Sequence, residues 1–144
     1  MHDPLLRIAY GSRNAGVEGA AGLAEILAIS RRNNRRDGVT GALLFSENVF
    51  VQVLEGPGDA VAAVFERIQM DARHSDVVVL LSEGAAQRHF AAWDMAYAGE
   101  DEAARARFEE MDLGRLIAGA PTGQEMLALL RGALGRSEAM ARGW

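Results

Sequence analysis

Two apolar runs, Val39 to Ser46 and Val49 to Glu55, are separated only by Glu47-Asn48, and this spacing restricts the chain more than any other feature. Strands joined so tightly pair as an antiparallel hairpin. The flanks of the hairpin have helical period. Before it, Glu18 to Asn33 places Leu23, Ile26, Leu27 and Ser30 at helical spacing, and Asp37-Gly38 marks the stop. After it, Pro57-Gly58-Asp59 opens a second helix, with Asp59 the expected N-cap and Val61, Val64, Phe65 and Ile68 the buried stripe. Beyond these lie three more segments of strand length: Leu5 to Ser12, Asp76 to Ser82 and Phe90 to Tyr97.

The order β-α-β-β-α-β-β predicts an α+β fold. Its first six elements follow the ferredoxin-like pattern, a sheet with two helices on one face. The other face would expose a large apolar patch if left bare. Residues 101–116 and 122–134 both read as helices, the second opened by a Thr122-x-x-Glu125 capping box, and they are expected to cover that face. A sheet buried on both sides accounts for the unbroken apolar runs at Val49 to Leu54 and Val77 to Leu81. The expected division is a core of residues 1–98 and a helical extension of residues 99–144.

Composition removes several classes of function. The 144 residues contain no cysteine, and all 15 basic residues are arginine. Thiol catalysis, thiolate metal sites, Schiff-base lysines and phosphate-loop lysines are therefore excluded. A net charge of −5 does not favour nucleic acid or anionic membrane. Arg31, Arg32, Arg35 and Arg36 fit a solvated last helical turn that complements the helix dipole. The start lacks a secretory signal and no apolar stretch is long enough to span a bilayer, so a cytoplasmic protein is expected. His2, His74 and His89 do not share metal-ligand spacing. Neither a dinucleotide fingerprint nor a serine elbow is present. The expectation is no enzyme and no metal site.

Some polar residues sit oddly in this pattern. Alternation puts Gln52 on one strand face with Phe50 and Leu54. An unpaired buried amide costs about 1–3 kcal/mol, so Gln52 needs a partner, ordinarily neighbouring backbone. Tyr10, in another apolar strand, needs one for its hydroxyl. Asn33 and Asn34 ordinarily would cap the end of the first helix.

Taken together, five segments in order resemble the BLUF family, the blue-light sensors that use flavin. They are Tyr10-Gly11-Ser12; Asn33-Asn34 with Gly38-Val39-Thr40-Gly41-Ala42-Leu43; Phe50-Val51-Gln52-Val53-Leu54-Glu55-Gly56; Ile68-x-x-Asp71-x-Arg73-His74; and Arg88-x-Phe90-x-x-Trp93-x-Met95. The resemblance runs from Leu5 to Tyr97. It implies a flavin held noncovalently between the two helices, FAD in the first instance, with FMN or riboflavin as alternatives. It implies that Tyr10 donates an electron and a proton to the excited flavin, and that Gln52 is an amide switch between Tyr10 and the flavin edge. Asn34 would bond the polar end of the ring with Asn33 beside it. Asp71, Arg73 and His74 would meet the ring carbonyl and ribityl chain. Trp93 and Met95, two apart on one strand face, would respond to the glutamine, and the family disagrees about which points inward.

The residue chemistry suits these roles. A neutral amide has a donor end and an acceptor end, so its hydrogen-bond pattern can reverse, which a carboxylate or an aliphatic chain cannot do. The segment after Tyr97 has room for two helices and no catalytic domain, which matches a short stand-alone type signalling to a separate protein. A homodimer contact through the sheet face or the tail is left open. The competing classes are a small flavoprotein reductase or hydrolase, for which no substrate motif exists, and a light-insensitive interaction module, against which Tyr10, Asn34 and Gln52 argue.

Overall fold

The computed structural model describes residues 5–16, 19–46, 48–91, 95–98, 102–109, 113–118 and 122–141. The elements are β1 (Leu5–Asn14), α1 (Gly19–Asp37), β2 (Thr40–Phe45), β3 (Val49–Pro57), α2 (Gly58–Met70), β4 (His74–Ala85), β5 (Ala96–Tyr97), α3 (Glu102–Glu109), α4 (Leu113–Ile117) and α5 (Gly123–Ala141). The sheet order is β4-β1-β3-β2-β5. All neighbours are antiparallel except β2 and β5, which run parallel. The expected ferredoxin-like α+β architecture is what forms, with β5 added at the β2 edge.

Alternation along the central strands sorts the core into two layers. Ile8, Tyr10, Leu43, Phe50 and Leu54 pack with Ile26 and Leu27 of α1 and Val61 and Val64 of α2. Ala9, Ala42, Leu44, Val49, Val51 and Val53 pack with Phe108 of α3, Leu116 of α4 and Met126, Leu127 and Leu130 of α5. The C-terminal helices thus cover the second face. Burying their apolar stripe and the sheet's is favourable at about 25 cal/mol per Å² removed from water. Two close approaches need glycine. A Cβ at Gly41 would fall on the carbonyl oxygen of Val53, and one at Gly123 on the carbonyl oxygen of Leu80, where α5 starts against β4.

Several boundaries differ from expectation. α1 continues past Asn33 to Asp37 and ends at Gly38, whose φ of 72° suits the residue without a Cβ. The N-cap of α2 is Pro57, not Asp59. Its φ of −55° and ψ of 139° set the chain extended just before the helix, and it makes no side-chain cap bond. Asp59 lies in the first turn, where its carboxylate accepts from the N–H of Ala60 at 3.0 Å and complements the dipole. β4 is longer than expected and is an edge strand, so Val77 to Leu81 is only half-buried and Val79 is 49% exposed. The expected helix over 101–116 contains two shorter helices, α3 and α4. At α5, the Thr122–Glu125 capping box is present, with bonds of 3.1 and 3.3 Å.

The fifth strand differs most. Among the described residues of the expected strand Phe90 to Tyr97, pairing is confined to Ala96 and Tyr97; residues 92–94 lie outside the described residues. Residues 86–91 form an irregular connector fixed by side chains. Arg7 and Glu55, 4% and 1% exposed, form an ion pair of 2.7 Å between directly opposed residues of β1 and β3. The Glu55 carboxylate also accepts from the N–H of His89 at 2.9 Å and of Phe90 at 2.7 Å. Arg7 donates onward to Glu83 at 2.8 Å and to the Gln87 carbonyl at 2.9 Å. Arg88 donates to the Gly38 carbonyl at 2.7 Å and to Thr40 Oγ1 at 3.1 Å.

A buried ion pair broken on one side leaves a desolvated charge. Arg7→Leu should therefore cost about 3–5 kcal/mol of folding stability in urea titrations. Arg13→Leu, which removes an exposed pair with Asp76, should cost about 1 kcal/mol or less. Similar losses for the two would show that the Arg7 pair is not an organising contact.

Candidate functional site

The β1–β3 register places Tyr10 directly opposite Gln52, both facing α1 and α2. Tyr10 is fully buried, and its hydroxyl donates to Gln52 Oε1. The ring lies against Phe65 at 5.3 Å between centroids and near the His74 ring at 6.3 Å. Burial, and secondly the negative charge of Asp71, push the phenol pKa far above its ordinary value. The Tyr10 proton is therefore held firmly in the ground state. Gln52 is 5% exposed and finds its partner in a side chain, not in neighbouring backbone. Its other end, Nε2, donates to Met95 Sδ at 3.4 Å. A thioether is a weak acceptor, so this amide end is the less firmly held of the two.

Gln52 also forms part of the floor of a cleft between α1 and α2. Ile26, Leu43, Val64 and Ile68 supply apolar walls. Ser30, Asn33, Asn34, Arg67, Asp71, Arg73 and His74 supply the polar groups. Asn34 is buried and Asn33 half-buried. Because α1 runs on to Asp37, these two asparagines lie within its last turns and do not end it. At the end of α2, Asp71 takes the C-cap position. Its carboxylate holds the Arg73 guanidinium through bonds of 2.6 to 3.1 Å and accepts from the Arg73 N–H at 2.9 Å. The Arg73 bonds lower the Asp71 pKa against the opposing effect of burial. His74 Nδ1 lies 2.9 Å from Ser12 Oγ, and its ring packs on Phe50 at 4.5 Å. Burial lowers the His74 pKa from its ordinary 6.5, with Asp71 opposing and Arg73 reinforcing.

The structure thus brings together Tyr10, Gln52 and Met95 in one cluster, and Asn33, Asn34, Asp71, Arg73 and His74 around the adjoining cleft. Met95 is buried on the α1–α2 side. Trp93 lies outside the described residues. Ser12, Ser30, Phe50, Phe65 and Arg67 also belong to the site and were not singled out as ligands or supports. Ser12 was open to detection, since it shares a strand face with Tyr10. Arg67 stands three and four residues from Val64 and Asp71 respectively, on one side of α2.

A cleft with apolar walls and several side-chain amides suits a flat heteroaromatic ring with a polar edge. The amides of Asn33, Asn34 and Gln52 each offer donors and an acceptor, as an edge of alternating carbonyls and N–H requires. The Asp71–Arg73 pair and His74 add charged and polar groups to the same cleft.

Comparison with known proteins agrees with this chemistry. The family profile described as BLUF, sensors of blue-light using FAD, matches residues 5–96. The blue light- and temperature-regulated antirepressor BluF of Escherichia coli (strain K12) is 36% identical over 86 residues, 60% of this chain and 21% of that protein. The photoactivated adenylate cyclase subunit alpha of Euglena gracilis is 35% identical over 98 residues, 67% of this chain and 10% of that protein. The chain spans 21% or less of the length of these two relatives. A solved structure described as BlrB, a BLUF protein in its dark state, superposes with a TM-score of 0.76 at 31% identity, covering 94% of this chain and 98% of that one.

The His74 environment has a consequence for stability. Its pKa is lower in the folded chain, so the unfolded chain takes up the proton first as pH falls. Stability from this group is present above about pH 6.5 and is lost as pH falls through the lowered value. His89 is shifted the same way, by burial first and the Arg7 charge second. The urea midpoint should drop between about pH 7.5 and 5.5, and His74→Gln should flatten that slope in part, with His89→Gln removing more. An unchanged slope in the double variant would contradict the assignment.

Proposed function

This chain belongs to the BLUF family of blue-light sensors that use flavin, and from that premise we propose that Tyr10 and Gln52 are its photoactive pair. The observation that carries the reading is the buried bond from the Tyr10 hydroxyl to Gln52 Oε1, on the floor of the interhelical cleft. The cofactor is FAD, bound noncovalently. Asn34 meets the polar end of its ring with Asn33 beside it, and Asp71, Arg73 and His74 meet the ring carbonyl and ribityl chain. Bound flavin, once excited by blue light, supplies a one-electron acceptor.

With flavin bound, Tyr10 would give that electron, and its phenol proton, made acidic by the loss, would move along the existing bond towards Oε1 of Gln52; electron and proton would both come back to Tyr10. Gln52 would be left with its two ends exchanged, a change a neutral amide undergoes without charging the site. Its carbonyl oxygen then faces Met95 Sδ. Oxygen and sulfur are both acceptors there, so the contact to Met95 is released. Met95 immediately precedes β5, and β5 leads towards the C-terminal helices. Residues 1–98 act as the photosensor core and residues 99–144 as the output extension. Trp93 takes part in the response along with Met95. The downstream partner is a separate signalling protein, and a second copy of the chain is a further candidate partner through the tail. The cytoplasm is the compartment proposed; among the described residues no helix is long and apolar enough to cross a membrane.

Absorption spectroscopy tests the core of this reading. The dark protein should show a flavin spectrum that shifts slightly to the red under blue light and recovers. Tyr10→Phe should keep flavin and lose the shift, and Gln52→Leu should lose it as well. A Tyr10→Phe variant that forms the same shifted state in comparable yield would remove Tyr10 from the donor role. Release of FMN or riboflavin instead of FAD on denaturation would revise the cofactor alone.

Hydrogen exchange in dark and light tests the output. Protection over residues 102–141 should change with light, and Met95→Ala should shrink that change while the flavin shift persists. Identical protection in both states, with photochemistry intact, would exclude the C-terminal helices as the output element.

A further inference from the structure

Met95 meets Gln52 immediately before β5. Upstream, the chain is held at residues 89–90 by the Glu55 carboxylate, which accepts from the N–H groups of His89 and Phe90. Among the described residues, β5 pairs with β2 at Ala42–Ala96 and Leu43–Tyr97. A two-residue parallel edge strand contributes little register of its own. Beside it, Arg31 Nε donates to the Met95 backbone carbonyl at 2.8 Å. The bond is local to the contact in question. Met95 is 1% exposed, and its sulfur lies 3.4 Å from Gln52 Nε2. Arg31 belongs to α1, and its neighbours Ser30, Asn33 and Asn34 line the cleft. The wall of the cleft is thereby bonded directly to the backbone of the residue that reads Gln52.

We propose that Arg31 is a positioning residue that holds Met95 against Gln52 and so sets how fast the light state returns to the dark state. This proposal rests on the photosensor reading given above. The arginine acts through backbone geometry and touches neither Tyr10 nor Gln52. Its bond favours the arrangement in which the Met95 sulfur meets the amide N–H. Without it, Met95 is held less firmly in that arrangement after Gln52 has turned, and the return slows. An arginine also packs through its alkyl stem, so the donor must be separated from the stem. Arg31→Met keeps most of the stem and removes the donor. Arg31→Lys keeps a donor able to reach a carbonyl. Arg32→Met, on the same helix, removes an equal charge without touching this bond.

The test uses the full chain as purified, in the dark, with methyl-labelled methionine, Met95 being assigned through Met95→Leu. In Arg31→Met the Met95 methyl resonance should move or broaden, and light-state decay should slow by about threefold or more, the factor a hydrogen bond of ordinary net worth provides. Arg31→Lys should restore most of both effects, and Arg32→Met should show neither. A Met95 resonance unchanged in Arg31→Met would overturn the proposal, as would equal effects in Arg32→Met. A moved resonance with unaltered decay would confine Arg31 to dark-state packing and overturn its part in the light cycle. Should the wild-type protein fail to respond to light, the photosensor reading falls, and the methyl resonance still decides whether Arg31 positions Met95.

Discussion

The register between β1 and β3 is the constraint on which the rest of the structure depends. It sets Tyr10 opposite Gln52 and, three residues along, Arg7 opposite Glu55. Three is an odd step, so the two pairs lie on opposite faces of the sheet. A slip of one residue would turn every side chain of the strand over and dissolve both pairs together. The two pairs differ in kind. The phenol and the amide are neutral, so burying them carries only the cost of satisfying their hydrogen bonds. The guanidinium and the carboxylate are charged, and their burial is tolerated because every oxygen of Glu55 has a partner. The neutral pair can change its bonding without stranding a charge. The charged pair cannot, and it fixes the chain at His89 and Phe90.

Both faces of the sheet must be covered for this to work. On one side, α1 and α2 keep water from Tyr10 and so hold its proton tightly. On the other, α3 to α5 bury the layer containing Val51 and Val53, which back directly onto Phe50, Gln52 and Leu54. β3 is consequently buried along its length apart from Pro57. A close-packed strand shared by both layers has little freedom to absorb a change on one side without passing it on. The C-terminal helices therefore do more than hide an apolar surface. They pack on the reverse of the strand that holds the amide.

The sequence was legible where the pattern is local. The hairpin, both flanking helices, the capping box at Thr122 and the strand face shared by Gln52, Phe50 and Leu54 all follow from spacing over a few residues. The irregular course of residues 86–91 was not, because it is set by contacts remote in sequence. Arg7 bonds the carbonyl of Gln87, and Glu55 bonds the N–H groups of His89 and Phe90. No periodicity over Phe90 to Tyr97 carries that information. A partial signal did exist: Arg7 stands inside Leu5-Leu6-Arg7-Ile8-Ala9, and a charge in a buried strand requires a buried partner. Glu55, closing an apolar run, was available. The Asp59 cap failed for a different reason. The ring of Pro57 fixes φ near the −55° it adopts at the N-cap, so the helix starts before the residue with the better capping side chain.

The weak end of the amide explains why so small a device can signal. Gln52 has one strong partner, the Tyr10 hydroxyl, and one poor one, the Met95 thioether. Were a carbonyl oxygen to stand where the sulfur stands, the N–H end would be fixed by an ordinary hydrogen bond, and turning the amide would forfeit two good bonds in a dry site. With sulfur there, the loss on turning is smaller, and Met95 has a flexible side chain that can repack into irregular space. The same weakness means that the amide alone does not hold Met95 in place. Its position depends on backbone restraints, among them the two β-bridges that follow it and the Arg31 bond to its carbonyl. A readout contact that is weak in itself and positioned by its surroundings can be broken by a change of one hydrogen bond, and that is the size of change an amide rotation supplies.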